Sequence, residues 1–204
     1  MVKNARKERE YQRRLKEIIN AALDVFYNKG YFGATIDEIA QKAGYAKASL
    51  YYYFKNKEEI FKKLIFLSMD SMLRDIEKIS SEEPDPRKAI NEIIEYLIKV
   101  NVKQKGFFKV YYHIRPFIDE ILSEDERKKA RQMMESISKK IEEIIDKGYK
   151  MGYFRYDSSH GTGLILMGML SGIIYHSSNL IGRGIDLNTI LQISKQIITK
   201  GIEK

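Results

Sequence analysis

Leu15, Ile18, Ile19, Ala22, Leu23 and Phe26 recur at intervals of three and four residues. That spacing predicts a helix over about residues 10–28 with one apolar stripe, ended by Gly30. Thr35-Ile36-Asp37-Glu38 follows, in which the Thr hydroxyl can accept from the Glu38 amide while the Glu38 carboxylate returns to the Thr35 amide. This is a capping box, and it opens a second helix that stops at Gly44. After a short turn, Lys47 to Tyr53 sets Leu50 and Phe54 on one side and small or polar groups on the other, a third helix. Asn56-Lys57-Glu58-Glu59 is a further capping arrangement, and Ile60, Leu64, Leu67 and Ile76 carry a long fourth helix to about Ile79.

Ser80 to Pro86 is a polar break. Arg87 to Lys103 reads as a fifth helix, and Phe107 to Leu122 as an aromatic-rich one interrupted near Pro116, where the ring removes a helical donor. Ser123-Glu124-Asp125-Glu126 opens a helix to about Lys150, with Met133, Met134, Ile137, Ile141, Ile144 and Ile145 on its apolar side. Gly152 to Asp157 is a turn, and two more helices fit residues 158–181 and 187–201. Strand-like alternation and internal repeats are absent, so the fold class expected is all-α with about nine helices.

Charge adds an asymmetry to this pattern. The chain carries a net +8, of which +6 falls on residues 1–57 and +2 on residues 58–204. A polyanion-binding module, residues 1–57, followed by a near-neutral helical domain, residues 58–204, accounts for it; charged residues merely solvating helix faces is the plainer alternative. Cysteine is absent, which excludes disulfides and thiolate chemistry. The N-terminal MVKNARKERE has no apolar run, so no signal peptide is expected, and the Leu164 to Ile181 stretch is interrupted by His176, Ser177, Ser178 and Asn179. The expectation is a soluble, cytoplasmic protein. Its abundance of Ile, Lys and Glu is a composition seen in hyperthermophile proteins.

Two short helices joined by a tight glycine-containing turn, resting on a supporting first helix in the most basic part of the chain, describe a helix-turn-helix whose second helix enters the DNA major groove. Lys47, Ala48 and Tyr52 on the outward side of that helix, with Ser49 after them, are the candidates for base-edge contact. Leu50, Phe54, Ile36, Ile39, Ala40 and Phe26 are its core. The arm residues Lys3, Arg6, Lys7, Arg9, Arg13 and Arg14 are candidates for phosphate or minor-groove contacts, or form an ordinary solvated face.

The segment GYFGATIDEIAQKAGYAKASLYYYFKNKEEIF resembles the DNA-binding segment of TetR/AcrR-type transcriptional repressors over about residues 12–62. Gly30-Tyr31, Thr35-Ile36, Ile39-Ala40, Ala43-Gly44, Leu50-Tyr51, Phe54 and Lys57-Glu58 all fall where that pattern has them. The resemblance implies a homodimer that binds a palindromic double-stranded DNA operator and is released by a small-molecule effector. It also implies phosphate contacts from Thr35, Tyr51 and Lys57. Ala46 stands where the family often has a capping Ser or Thr, Ala48 where glycine is frequent, Ala34 where Thr is frequent, and Tyr45 where Val is usual.

The domain after residue 57 carries no HExxH, phosphate-binding glycine loop or paired carboxylates, so no metal, cofactor or enzymatic activity is expected. Its supply of Phe, Tyr and Met suits an adaptable cavity for a mainly apolar effector, with Phe66, Phe107, Tyr111, Met134 and Met167 as candidate lining residues. Gly161, Gly163, Gly168 and Gly172 crowd one helix, where each costs ~1 kcal/mol relative to Ala. Close approach of another helix would offset this. By the family resemblance, that approach is a dimer seam at Gly168 and Gly172; packing inside one protomer is the other reading. A helical protein-interaction adaptor without specific DNA binding is the competing function.

Overall fold

The computed structural model describes residues 2–103, 107–157 and 161–203, and only the backbone of residues 2–5, 103, 107–109, 178 and 179. The described residues are all-α: α1 (Val2–Gly33), α2 (Ile36–Ala43), α3 (Lys47–Tyr51), α4 (Lys57–Glu82), α5 (Pro86–Lys103), α6 (Phe107–Ile114), a 3-10 turn (Arg115–Phe117), α7 (Ile118–Ile121), α8 (Glu124–Lys150), α9 (Thr162–Gly182) and α10 (Leu187–Ile202). Helical order starts at Val2, well before the apolar stripe, so the basic arm is itself helix. Gly30 breaks α1 as expected: its φ of 71° lies in the left-handed region that a side chain disfavours. Pro116 turns the aromatic segment into a 3-10 turn between two short helices.

The chain divides into two compact units. One comprises residues up to Leu67 together with Val110–Ser123; the rest of the chain is the other, and the division falls inside α4. In the first unit Leu15, Ile18, Ile19, Ala22, Val25 and Phe26 of α1 are buried with Ile39 and Ala40 of α2, Leu50 of α3, Phe54, and Ile60 and Phe61 of α4. Phe26 meets the Phe61 ring edge-on at 5.5 Å, and Tyr31 packs on Phe61 at 5.0 Å. Each large apolar side chain so buried contributes roughly 1.5–3 kcal/mol.

The second unit is a bundle in which α5 packs on α8, α9 and α10. Ile90, Ile93, Ile94, Leu97 and Ile98 form its central stripe. The Tyr96 hydroxyl donates to Asp75 at 2.6 Å, joining the second half of α4 to α5, and Glu95 of α5 accepts from both Lys99 and Lys195, joining α5 to α10. The chain after α8 folds back through Phe154, which is buried, and the Arg155 amide donates to the Ile202 carbonyl at 2.7 Å. Helix α9, at 21 residues and a mean hydropathy of 1.4, reaches the length and apolarity that can cross a membrane, beyond what its polar interruptions suggest. It packs instead against α5, α8 and α10, burying Leu166, Met167, Leu170 and Ile174.

Candidate functional site

The α2–turn–α3 unit is built by local chemistry. Thr35 caps α2: its Oγ1 accepts from the Glu38 amide at 3.3 Å, and Glu38 Oε2 accepts from the Thr35 amide at 3.1 Å. At the other end Gly44, with φ 75°, lets its amide reach the Ala40 and Gln41 carbonyls while the Tyr45 amide donates to Ala40, closing the helix and turning the chain. Helix α3 begins after Ala46, which supplies no side-chain cap, as the departure from the family residue implies.

The fixing of α3 comes from α1. The Tyr45 hydroxyl, just before α3, donates to Glu17, which draws the Glu17 carboxyl below its ordinary range and pushes the phenol up. Just after α3, Tyr53 stacks on Tyr11 with centroids 5.1 Å apart and planes at 25°. Nothing in the sequence relates Tyr11 to Tyr53 or Glu17 to Tyr45, since each pair joins distant positions.

Leu50 is fully buried, whereas Lys47, Ala48 and Ser49 are exposed and Tyr52 is 80% exposed. The base-contact candidates therefore share the solvent side of the α3 segment. Lys47 Nζ rests 2.8 Å from Asp37 Oδ2 of α2, and this bond holds the ammonium pKa above its ordinary value. The pair is exposed, so releasing Lys47 to a base costs ~0–1 kcal/mol. Thr35 is exposed and its hydroxyl, accepting in the cap, keeps its proton to donate to a phosphate. Tyr51 is 45% exposed.

Lys57, a candidate for phosphate contact, is engaged within the chain. Its Nζ donates to the carbonyls of Tyr31 at 3.0 Å, Phe32 at 3.1 Å and Ala34 at 3.0 Å, and lies 4.9 Å from the Tyr31 ring centroid. An ammonium has three N–H groups, and here all three close the α1–α2 connection. Glu58 and Glu59 in the same first turn further disfavour an anion there. Asn56 caps this helix, accepting from the Glu59 amide at 2.9 Å, but Glu59 returns to the Lys55 amide at 2.8 Å, one residue earlier than a capping box requires.

The effector candidates with described side chains divide between the two units. Phe66 and Tyr111 are half-buried in the first unit; burial raises the Tyr111 phenol pKa. Met134 is half-buried and Met167 buried in the second, and the Phe107 side chain lies outside the described residues. A cavity of about 390 Å³ in the second unit is lined by other residues, among them Tyr156, Ile165, Leu166, Met169, Ile197 and Gly201. Periodicity could not find it, because its walls belong to α9, α10 and the turn before α9.

The α9 glycines separate into two kinds. A Cβ on Gly163 would sit 2.6 Å from the Glu142 side chain of α8, so that glycine serves packing within the chain. Gly168 and Gly172 have nothing within 4 Å of such a Cβ and are exposed, in one stripe with Leu164, Ile165, Met169 and Tyr175, while α10 exposes Ile193 and Ile197.

Fold and site together define an all-α chain that carries an N-terminal helix-turn-helix. Residues 18–64 match the family of bacterial regulatory proteins described as the tetR family. The chain is 26% identical over 152 residues to the biofilm operon icaADBC HTH-type negative transcriptional regulator IcaR of Staphylococcus epidermidis, covering 74% of this chain and 77% of that one. It is 32% identical to the HTH-type transcriptional regulator RutR of Escherichia coli over 96 residues, 47% of this chain and 45% of that one. The fold matches that of a transcriptional regulator from Saccharomonospora viridis solved in complex with choline, with a TM-score of 0.77 at 18% identity, covering 95% of this chain and 99% of that chain. Residues 18–64 thus carry a DNA-binding segment of the tetR type, and the relatives that the chain resembles are transcriptional regulators.

Proposed function

We propose that the chain is a cytoplasmic repressor that binds a palindromic operator as a homodimer, through a DNA-binding domain of residues 1–57, and is released by a small, mainly apolar effector taken up by residues 58–204. The observation that carries the DNA reading is the solvent side of the α3 segment. Lys47, Ala48, Ser49 and Tyr52 are exposed there while Leu50 anchors the helix from beneath. Thr35 and Tyr51 flank it with hydroxyls suited to phosphates.

The dimer reading rests on the exposed apolar stripe of α9 and α10. Leu164 and Ile165 are 69% and 61% exposed, and Gly168 and Gly172 allow a second helix to approach. The effector reading rests on the apolar cavity between the same helices, whose volume falls in the range of small-molecule sites. A relative by fold binds choline, so cationic amphiphiles belong among the effectors to try beside neutral apolar ones.

Selection of bound sequences from random duplex DNA tests the reading. The expected result is an inverted repeat whose half-sites lie about one helical turn, ~34–36 Å, apart or a multiple of it. Binding without sequence preference would favour the interaction adaptor.

A further inference from the structure

Helix α1 does more than support α3. Glu17 of α1 meets Tyr45 immediately before α3, and Tyr11 meets Tyr53 immediately after it. The two helices are thus pinned at both ends of α3 and run in opposite directions. The part of α1 that precedes Tyr11 consequently projects beyond the C-terminal end of α3. It is helical from Val2, so at 1.5 Å per residue it extends about 13 Å past the pin.

The charge on this extension is arranged to face outward. Glu10 is taken up by Arg14 and Glu8 accepts from Gln12 at 2.8 Å, while Arg13 is held by Glu17 at 2.6 Å. Arg6, Lys7 and Arg9 are exposed, and Arg6 and Lys7 make no ion pair among the described residues. With α3 in a major groove, a basic helix passing its C-terminal end meets the sugar–phosphate backbone that borders the groove.

We propose that the N-terminal extension of α1 is a second DNA-binding element, in which Arg6 and Lys7 contact backbone phosphates flanking the major-groove half-site and Tyr11, stacked on Tyr53, positions them. This rests on the operator-binding reading above. Phosphates are chosen over bases because the extension is a helix too wide for the ~6 Å minor groove of B-DNA. The contact is therefore indifferent to flanking sequence.

The test uses the full chain and the selected operator on two duplexes. One ends at the outermost bases of the half-sites; the other continues about ten base pairs, one helical turn, on each side. Arg6→Gln/Lys7→Gln removes up to four contacts in a dimer and is expected to lower the salt slope by about 3 to 4 on the long duplex, leaving the short one unaffected. Tyr11→Ala, which keeps every charge, lowers the long-duplex slope as well, whereas Tyr11→Phe, which keeps the ring, does not.

A double variant that matches the wild type on both duplexes overturns the proposal. A long-duplex advantage that depends on A·T content in the flank overturns the assignment to phosphates, and an unchanged slope in Tyr11→Ala overturns the positioning role. Failure of the wild type to prefer any sequence overturns instead the reading on which the proposal rests.

Discussion

Three backbone carbonyls, those of Tyr31, Phe32 and Ala34, converge on the Lys57 ammonium, which makes a structural role testable against the phosphate contact. Lys57→Ala strands those carbonyls beside the Tyr31 ring. The expected result is a loss of roughly 1–2 kcal/mol of stability, read by thermal or urea unfolding, with the salt slope of operator binding unchanged. A slope that falls by about 2 would restore a phosphate role. Lys47 behaves differently because its partner Asp37 is exposed and exchangeable. Lys47→Ala should relax base preference by ~1–3 kcal/mol at one position of each half-site, measured by competition between operator variants. Family resemblance made Lys57 a candidate and the outward side of α3 made Lys47 one, and the folded chain separates their surroundings. Lys57 lies 26 residues from Tyr31, beyond the reach of any local pattern, whereas the Thr35 cap was readable because its bonds join residues three apart.

At the scale of elements, α9 carries glycines with different reasons. Gly163 makes room for Glu142, while Gly168 and Gly172 face outward beside Ile165 and Met169. Gly168→Leu and Gly172→Leu should therefore leave the fold intact and weaken the dimer, seen by sedimentation at micromolar concentration. Two variants that remain dimeric would move the seam elsewhere. Helix α10 offers a pH test. Glu95 is held by Lys195 and Lys99, which draw its pKa down to about 2 from an ordinary carboxyl value near 4.5. A depressed native pKa stabilises fully above the unfolded value and is lost as pH falls through the native one. The difference in melting temperature between the wild type and Glu95→Gln should be present at pH 6 and shrink between about pH 4.5 and pH 2; a constant difference would assign it to packing. Helix positions were legible because apolar periodicity and caps are local. The Val2 start was not, since the sequence of residues 2–10 carries no apolar stripe. The cavity was not either, since its walls come from three separate stretches.

For the whole molecule, the proposed regulation requires that an event in the second unit alter how two copies present α3. Helix α4 is unbroken over 26 residues, with Lys57 closing the α1–α2 connection at one end and Met69, Met72 and Ile76 buried further along. The apolar cavity has Ile165, Met169 and Ile197 among its walls, and these are also exposed residues of the proposed seam. An apolar effector lodged there would change how two copies meet, and with it the separation of two recognition helices that must match successive major grooves. By linkage, an effector that lowers operator affinity 100-fold must itself bind the operator-bound dimer 100-fold more weakly, a coupling of ~2.7 kcal/mol. Gly201 lines the cavity and a Cβ there meets nothing within 4 Å, so Gly201→Leu adds apolar volume at the cavity wall from a position with room for its first carbon. A screen of neutral apolar and quaternary-ammonium compounds by thermal stabilisation, followed by operator titration with each hit, supplies the reagents. The expected outcome is that Gly201→Leu keeps operator affinity but loses both the stabilisation and the release caused by the effector. Release that persists in this variant would place the effector outside the α9–α10 cavity.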